Sequence, residues 1–159
     1  MTASLSNRHA LLTGASGGIG LAVAQAFAMQ GARCTTVDIA DTPSAQLAEL
    51  INQHPAHMRY LRADITQNTQ IDAVIAAAQR KFGPIQVLFN NAALFDMAPL
   101  LESDEAMYDK LFAVNVKGMF FVMQKVLAQM VDHKVQGSVI NMASQAGRRG
   151  EALVSHYCA

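Results

Sequence analysis

Ser144 and Tyr157 stand 13 residues apart, and both carry oxygens suited to chemistry on a substrate oxygen. A serine hydroxyl can donate or accept a hydrogen bond, and a phenol can take or return a proton. Upstream, Gly14, Gly18 and Gly20 make a Gly-x-x-x-Gly-x-Gly run directly after the apolar stretch His9-Ala10-Leu11-Leu12-Thr13. Such a turn between strand and helix lets backbone approach a pyrophosphate, whose charge then faces the helix amides. The spacing differs from Gly-x-Gly-x-x-Gly because residue 23 is Val. Asp38 ends the next apolar run, close to the ~20-residue offset at which a carboxylate accepts hydrogen bonds from an adenosine ribose. A 2′-phosphate there would meet a like charge, and Ile39 brings no cation, so the pattern asks for NAD rather than NADP. Taken singly, each residue also has a plainer reading. Glycines serve tight turns for steric reasons, Asp38 and Ser144 can cap strand ends, and Tyr157 can be a packed aromatic.

The elements that must position these groups follow from hydrophobic period. Short apolar runs alternate with helical patterns, which predicts a parallel sheet covered by helices, an α/β doubly wound fold of the dinucleotide-binding type. Strands are predicted at about 9–13, 33–37, 58–61, 85–89 and 137–142. A first helix runs to about Gln30, with Gly31 placed to end it in a left-handed conformation, and Pro43 opens a second that runs to Gln53. Residues 54–57 read as a loop. Ile71, Val74, Ile75, Ala78 and Phe82 fall at the spacing of one buried helical stripe. A short helical piece near 103–108 is expected before a separate long helix carrying Leu111, Asn115, Phe121, Val122, Val126 and Met130. Met119, Met123 and Met130 read as core filling. Tyr157 falls near the start of a further helix.

Composition narrows the function classes. With 52% hydrophobic and 15% charged residues, the 159-residue chain reads as a single folded domain. Twelve basic and 12 acidic residues cancel, so no field attracts nucleic acid. Cys34 and Cys158 are far apart and read as ordinary reduced thiols. His54 and His57 share a polar loop without a third ligand nearby, so no metal is expected. The opening residues 1–8 lack an apolar signal region, and no run approaches the ~20 residues that span a bilayer. A cytoplasmic protein without membrane partners is the expectation.

Thr13-Gly14-x-x-x-Gly18-x-Gly20, Asn90-Asn91-Ala92, Asn115, Ser144 and Tyr157 occur in the order and spacing of the short-chain dehydrogenase/reductase family, which the whole chain resembles. The segments 90–96 and 140–153 are most similar to its bacterial NAD-dependent sorbitol (polyol) dehydrogenase branch, where Ala93 replaces the more usual glycine. The resemblance implies an oxidoreductase passing a hydride between a sugar-alcohol hydroxyl and NAD to give a ketose. It implies Asn115, Ser144 and Tyr157 as catalytic residues, with Tyr157 the base and Asn115 holding a relay water where it interrupts the long helix. Ser144, Gln145 and Tyr157 would contact substrate. Thr13, Gly14, Ser16, Gly18, Ile19, Gly20, Asp38, Asp64, Ile65, Asn90 and Ala92 would hold the cofactor: Thr13 bracing the glycine turn, Asp64 and Ile65 against adenine, Asn90 supporting the sheet end. A dimer or homotetramer is implied for the complete enzyme.

The family pattern also calls for a lysine four residues after the tyrosine, two beyond Ala159. A free phenol has a pKa near 10, and that cation assists its ionisation. The expectation is therefore an N-terminal part of about five strands, incomplete at its C-terminal side, that exposes apolar surface on Val139, Ile140 and the long helix. Alone it would be poorly soluble or loosely packed, with no measurable dehydrogenase activity. Two other readings stay open: a non-catalytic dinucleotide-binding module, and one half of a split enzyme.

Overall fold

A computed structural model describes residues 4–159; residues 1–3, part of the opening read above as lacking a signal region, lie outside the described residues. Five strands, β1 (His9–Thr13), β2 (Arg33–Asp38), β3 (Met58–Arg62), β4 (Val87–Asn90) and β5 (Ser138–Asn141), form one parallel sheet in the order β3-β2-β1-β4-β5. This is the doubly wound, Rossmann-type arrangement. Its order reverses beside β1, so a crevice opens at the carboxyl ends of β1 and β4. Both faces are covered, as a parallel sheet requires. Ala10 and Leu12 of β1 pack with Ala24 and Ala28 of α1 (Gly18–Met29) and Leu47 and Leu50 of α2 (Ala45–Gln53). Leu11 faces the other side, against Ile71, Val74 and Ala78 of α3 (Asn68–Phe82) and Val122 and Val126 of a later helix. All five residues of the stripe expected on α3 are buried.

Local signals set most boundaries. Gly31 ends α1 with φ +76°, and Gly83 ends α3 with φ +79°, conformations that cost glycine nothing. Helix α2 begins after Pro43 rather than on it, because the Ser44 hydroxyl accepts from Leu47 N at 3.3 Å and caps the turn. Strand β4 starts two residues later than expected. Ile85 is instead bonded by an amide side chain: Gln129 Oε1 accepts from Ile85 N at 3.1 Å, and Gln129 Nε2 donates to Ile85 O at 2.8 Å.

The largest difference lies after β4. The short and long helices expected separately are one continuous helical run, α4 (Glu105–Phe112), a wide π turn (Ala113–Gly118) and α5 (Met119–Asp132). Asp104 accepts from Met107 N at 2.8 Å and starts the run. The wide turn lets the Gly118 backbone lie against Ile65, where a Cβ would come within 3.0 Å of its side chain and carbonyl. At 28 residues, with an 18-residue window of mean hydropathy 1.4, this run is long and apolar enough by length and composition to cross a bilayer. That corrects the expectation that no such run existed. Its Val122, Val126 and Met130 are buried on the sheet, whereas Phe120, Leu127 and Val131 are exposed. Met130 and Met123 belong to the core or its margin.

Strand β5 lies at the sheet edge. Val139 is half-buried, while Ile140 is 44% exposed. Cys34 is buried and free, and burial pushes its thiol up to about 12, so it stays protonated and unreactive.

His9 is buried in β1 with both ring nitrogens engaged: Nδ1 lies 2.8 Å from Gly83 O and Nε2 3.0 Å from Thr35 Oγ1. Burial holds its pKa below the ordinary histidine value, aided by the Arg33 and Arg59 charges. On acidification through about pH 6.5 the unfolded chain binds this proton first. Stability contributed by neutral His9 is therefore complete above that pH and falls as pH falls. Urea midpoints at pH 7.5 and 5.5 are expected to differ, and the difference should shrink in a His9→Asn variant.

Candidate active site

The chain leaves β1 through Thr13 into a turn whose backbone no larger residue could follow. Gly14 has φ +64°, and a Cβ there would lie 2.7 Å from Ala92 Cα. A Cβ on Gly20 would meet Gly14 O at 2.1 Å. Gly18, at φ +50°, has open space around it, so its conformation alone favours glycine. Asn91 fastens the turn to the end of β4, its Nδ2 donating to Gly14 O at 2.9 Å. Thr13 was expected to brace the glycine turn, yet its hydroxyl oxygen accepts from Asn91 N at 3.1 Å and Ala92 N at 3.2 Å. The brace thus runs through Asn91, a role that the residue types alone did not assign.

Asp38 ends β2 beside this turn. Its Oδ2 accepts from Ser16 N at 3.0 Å and its Oδ1 from Ile39 N at 2.8 Å. Two backbone amide donors thus fix the orientation of its carboxylate beside the glycine turn. Asp64 is held similarly: Oδ1 accepts from Thr66 N at 2.9 Å and from Thr66 Oγ1 at 2.8 Å. A cavity of about 670 Å³ is lined by Gly14, Asp38, Asp64, Ile65 and Ala92, and also by Ile39, Lys110 and Val114. Ile39 follows Asp38 at the end of β2, whereas Lys110 and Val114 are distant in sequence and reach the cavity from the long helical run. Ile19 is exposed at the start of α1, and Ser16 Oγ is buried without a hydrogen-bond partner. An orphaned hydroxyl, a turn with no room for a Cβ and a carboxylate held at a strand end together fit a dinucleotide.

A second cavity of about 440 Å³ is lined by Asn90, Asn91, Ala92, Ala93, Asn115, Met119, Met142, Ser144, Arg148 and Tyr157. It therefore brings together the three residues read as catalytic, and it shares Asn91, Ala92 and Ala93 with the first. Ser144 follows β5, and its Oγ accepts from Ala146 N at 3.2 Å, capping a short 3₁₀ turn (Gln145–Gly147). Gln145 is exposed and does not line the cavity, whereas Arg148 does. Met119, expected as core filling, is a wall residue here. Tyr157 sits in α6 (Ser155–Cys158), half-buried. Asn115 lies inside the π turn, so the helix is interrupted where expected. Its amide is committed to Leu94, with Oδ1 accepting from Leu94 N at 2.7 Å and Nδ2 donating to Leu94 O at 2.8 Å. Asn90 is buried at the end of β4 and donates from Nδ2 to Asn141 Oδ1 at 3.0 Å, tying β4 to the edge strand. No group of three or more metal-ligating side chains occurs among the described residues.

Comparison with known proteins agrees with this geometry. The family model for short chain dehydrogenases matches residues 8–159. Galactitol 2-dehydrogenase of Agrobacterium fabrum is 48% identical over 155 residues, covering 98% of this chain and 59% of the relative. Sorbitol dehydrogenase of Cereibacter sphaeroides is 46% identical over 156 residues, again 98% and 59%. The crystal structure of a levodione reductase superposes with a TM-score of 0.88 at 32% identity, over 96% of this chain and 60% of that one. The chain thus spans about three fifths of the length of the proteins it matches.

The two tight glycines separate from a loose one by experiment. Gly20→Ala is expected to destabilise by about 1–3 kcal/mol or more, as overpacking does. Gly17→Ser, with nothing within 4 Å of its Cβ position, should stay within about 0.5 kcal/mol. Urea denaturation of both variants checks the contrast.

Proposed function

Because the chain belongs to the short chain dehydrogenase family, we propose that this oxidoreductase uses NAD to oxidise a sugar-alcohol hydroxyl to a ketose, and runs the reverse reduction. The observation that carries the reading is the pair of cavities sharing Asn91, Ala92 and Ala93, one reaching Asp38 and the glycine turn, the other Ser144 and Tyr157. The substrate class is supported by the names of two relatives, a galactitol and a sorbitol dehydrogenase. The choice of NAD is supported by Asp38, whose charge opposes a 2′-phosphate.

In this reading Thr13, Gly14, Ser16, Gly18, Ile19, Gly20, Asp38, Asp64, Ile65, Asn90 and Ala92 hold the cofactor, which when bound supplies the hydride acceptor. Ser144 donates a hydrogen bond to the substrate oxygen and steadies the negative charge that develops there. Tyr157 takes the hydroxyl proton. Asn115 anchors Leu94 with its amide, so a relay water beside it would be held by backbone carbonyls loosened in the π turn. Arg148 adds a guanidinium to the wall that meets substrate, a place for which Gln145 had been expected. The activity proposed is that of the whole enzyme. The 159 residues alone are expected to give none, since Ile140, Met142 and Phe120 stand bare around β5 and α5. Those apolar groups also support an assembly of subunits, dimer or tetramer.

Asp38→Ala should lower the NAD-over-NADP preference in kcat/KM by about 10- to 100-fold, the worth of hydrogen bonds to a charged group. Tyr157→Phe and Ser144→Ala should each lower kcat on a hexitol by about 10²- to 10⁴-fold while NAD binding by calorimetry is retained. A full-length protein that binds NAD yet oxidises no sugar alcohol would be a binding module instead. One that acts only after mixing with a separate C-terminal chain would be a split enzyme.

A further inference from the structure

Among the described residues, Tyr157 has one aromatic neighbour. The ring of Phe95 stands edge-to-face to it, with centroids 5.0 Å apart and planes at 84°, the perpendicular geometry that ring quadrupoles favour. Phe95 is itself 62% exposed, so core burial does not account for its placement. The segment that carries it is bonded on both sides. Leu94, the residue before, is clasped at N and O by the Asn115 amide. Three residues after Phe95, Ala98 N donates to Leu153 O at 2.8 Å. Leu153 lies four residues before Tyr157 and turns the chain into α6 with φ +66°. Residues 94–98 therefore form a strap between the π turn and the entry to α6, and Phe95 projects from it onto the Tyr157 ring.

We propose that Phe95 is a positioning residue for Tyr157: the strap, tied to Asn115 and to Leu153, holds the Phe95 ring as a stop that fixes the phenol within the cavity it shares with Ser144. The inference rests on the reading of Tyr157 as the proton-transferring group. It gives Asn115 a second task, reaching Tyr157 mechanically through Leu94 and Phe95. Residues acting in one chain of contacts lose their effects non-additively. Phe95→Leu should therefore cost less in an Asn115→Ala background than in the wild type.

The test uses the full-length chain labelled with 3-fluorotyrosine, the Tyr157 resonance being assigned by its loss in Tyr157→Phe. Phe95→Leu keeps apolar bulk and removes the ring, while Phe95→Tyr keeps the ring. In Phe95→Leu the Tyr157 fluorine signal should shift and narrow. Its kcat on a hexitol should fall about tenfold, as a displaced catalytic group does, with KM for NAD within about twofold of wild type. Phe95→Tyr should restore both signal and kcat. An unmoved fluorine signal in Phe95→Leu overturns the proposal. So does an equal loss of kcat in both variants accompanied by lowered melting temperature, which marks a merely structural side chain. If the wild-type enzyme oxidises no sugar alcohol with NAD, it is the proposed function that fails. The fluorine signal, which needs no turnover, still decides whether Phe95 holds Tyr157.

Discussion

Everything at the crevice depends on how closely three pieces of backbone approach one another. The end of β1, the start of α1 and the segment after β4 meet at Gly14, with no room for a Cβ on Gly14 or Gly20. Close approach leaves polar backbone groups that strand pairing cannot satisfy, and burying them unpaired would be costly. Thr13 and Asn91 satisfy them from side chains. The short segment Asn91–Ala93 is thereby fixed and becomes the wall common to both cavities. The steric demand of one turn therefore sets the relative placement of the two cavities.

The long helical run completes the arrangement by a repeated device. Two of its amide side chains each clasp the backbone of one residue at both N and O: Gln129 takes Ile85 before β4, and Asn115 takes Leu94 after it. Each amide imitates a rung of a β ladder, so both flanks of β4 are registered against the helix. A straight α-helix carrying both residues would still have to bring Gly118 against Ile65. The π turn resolves this by widening the helix at Ala113–Gly118, in the stretch that holds Asn115. Irregular helix at a functional position is where such turns are commonly found.

The cofactor side and the substrate side differ in how they are held. The carboxylates of Asp38 and Asp64 are fixed by short bonds to neighbouring backbone amides, Asp38 at the end of the interior strand β2 and Asp64 after the edge strand β3. Around Tyr157 the supports are a four-residue helix, a loop turning through Leu153 and a strap whose aromatic is mostly exposed. Strand β5, which delivers Ser144, lies at the sheet edge and is only partly covered. The first cavity is thus walled by rigidly bonded strand ends, and the second by short, partly exposed segments beside the edge strand β5.

Much of this was legible in the residues. Alternating apolar runs determined five parallel strands between helices, because strand and helix periods differ and a parallel strand must be buried on both faces. The α3 stripe, the left-handed end at Gly31, the glycine turn and Asp38 at its strand end follow from short-range rules that one segment can express by itself, while the pairing of Ser144 with Tyr157 was legible only through the family resemblance. What only the tertiary structure decided are relations between distant segments. The joining of two expected helices into one run, the delayed start of β4, the reassignment of Thr13 to Asn91 and Ala92, the double bond from Asn115 to Leu94, and the contact of Phe95 with Tyr157 all depend on which backbones come within a hydrogen bond of each other. Periodicity reports the face a residue presents, but not the partner that face will meet.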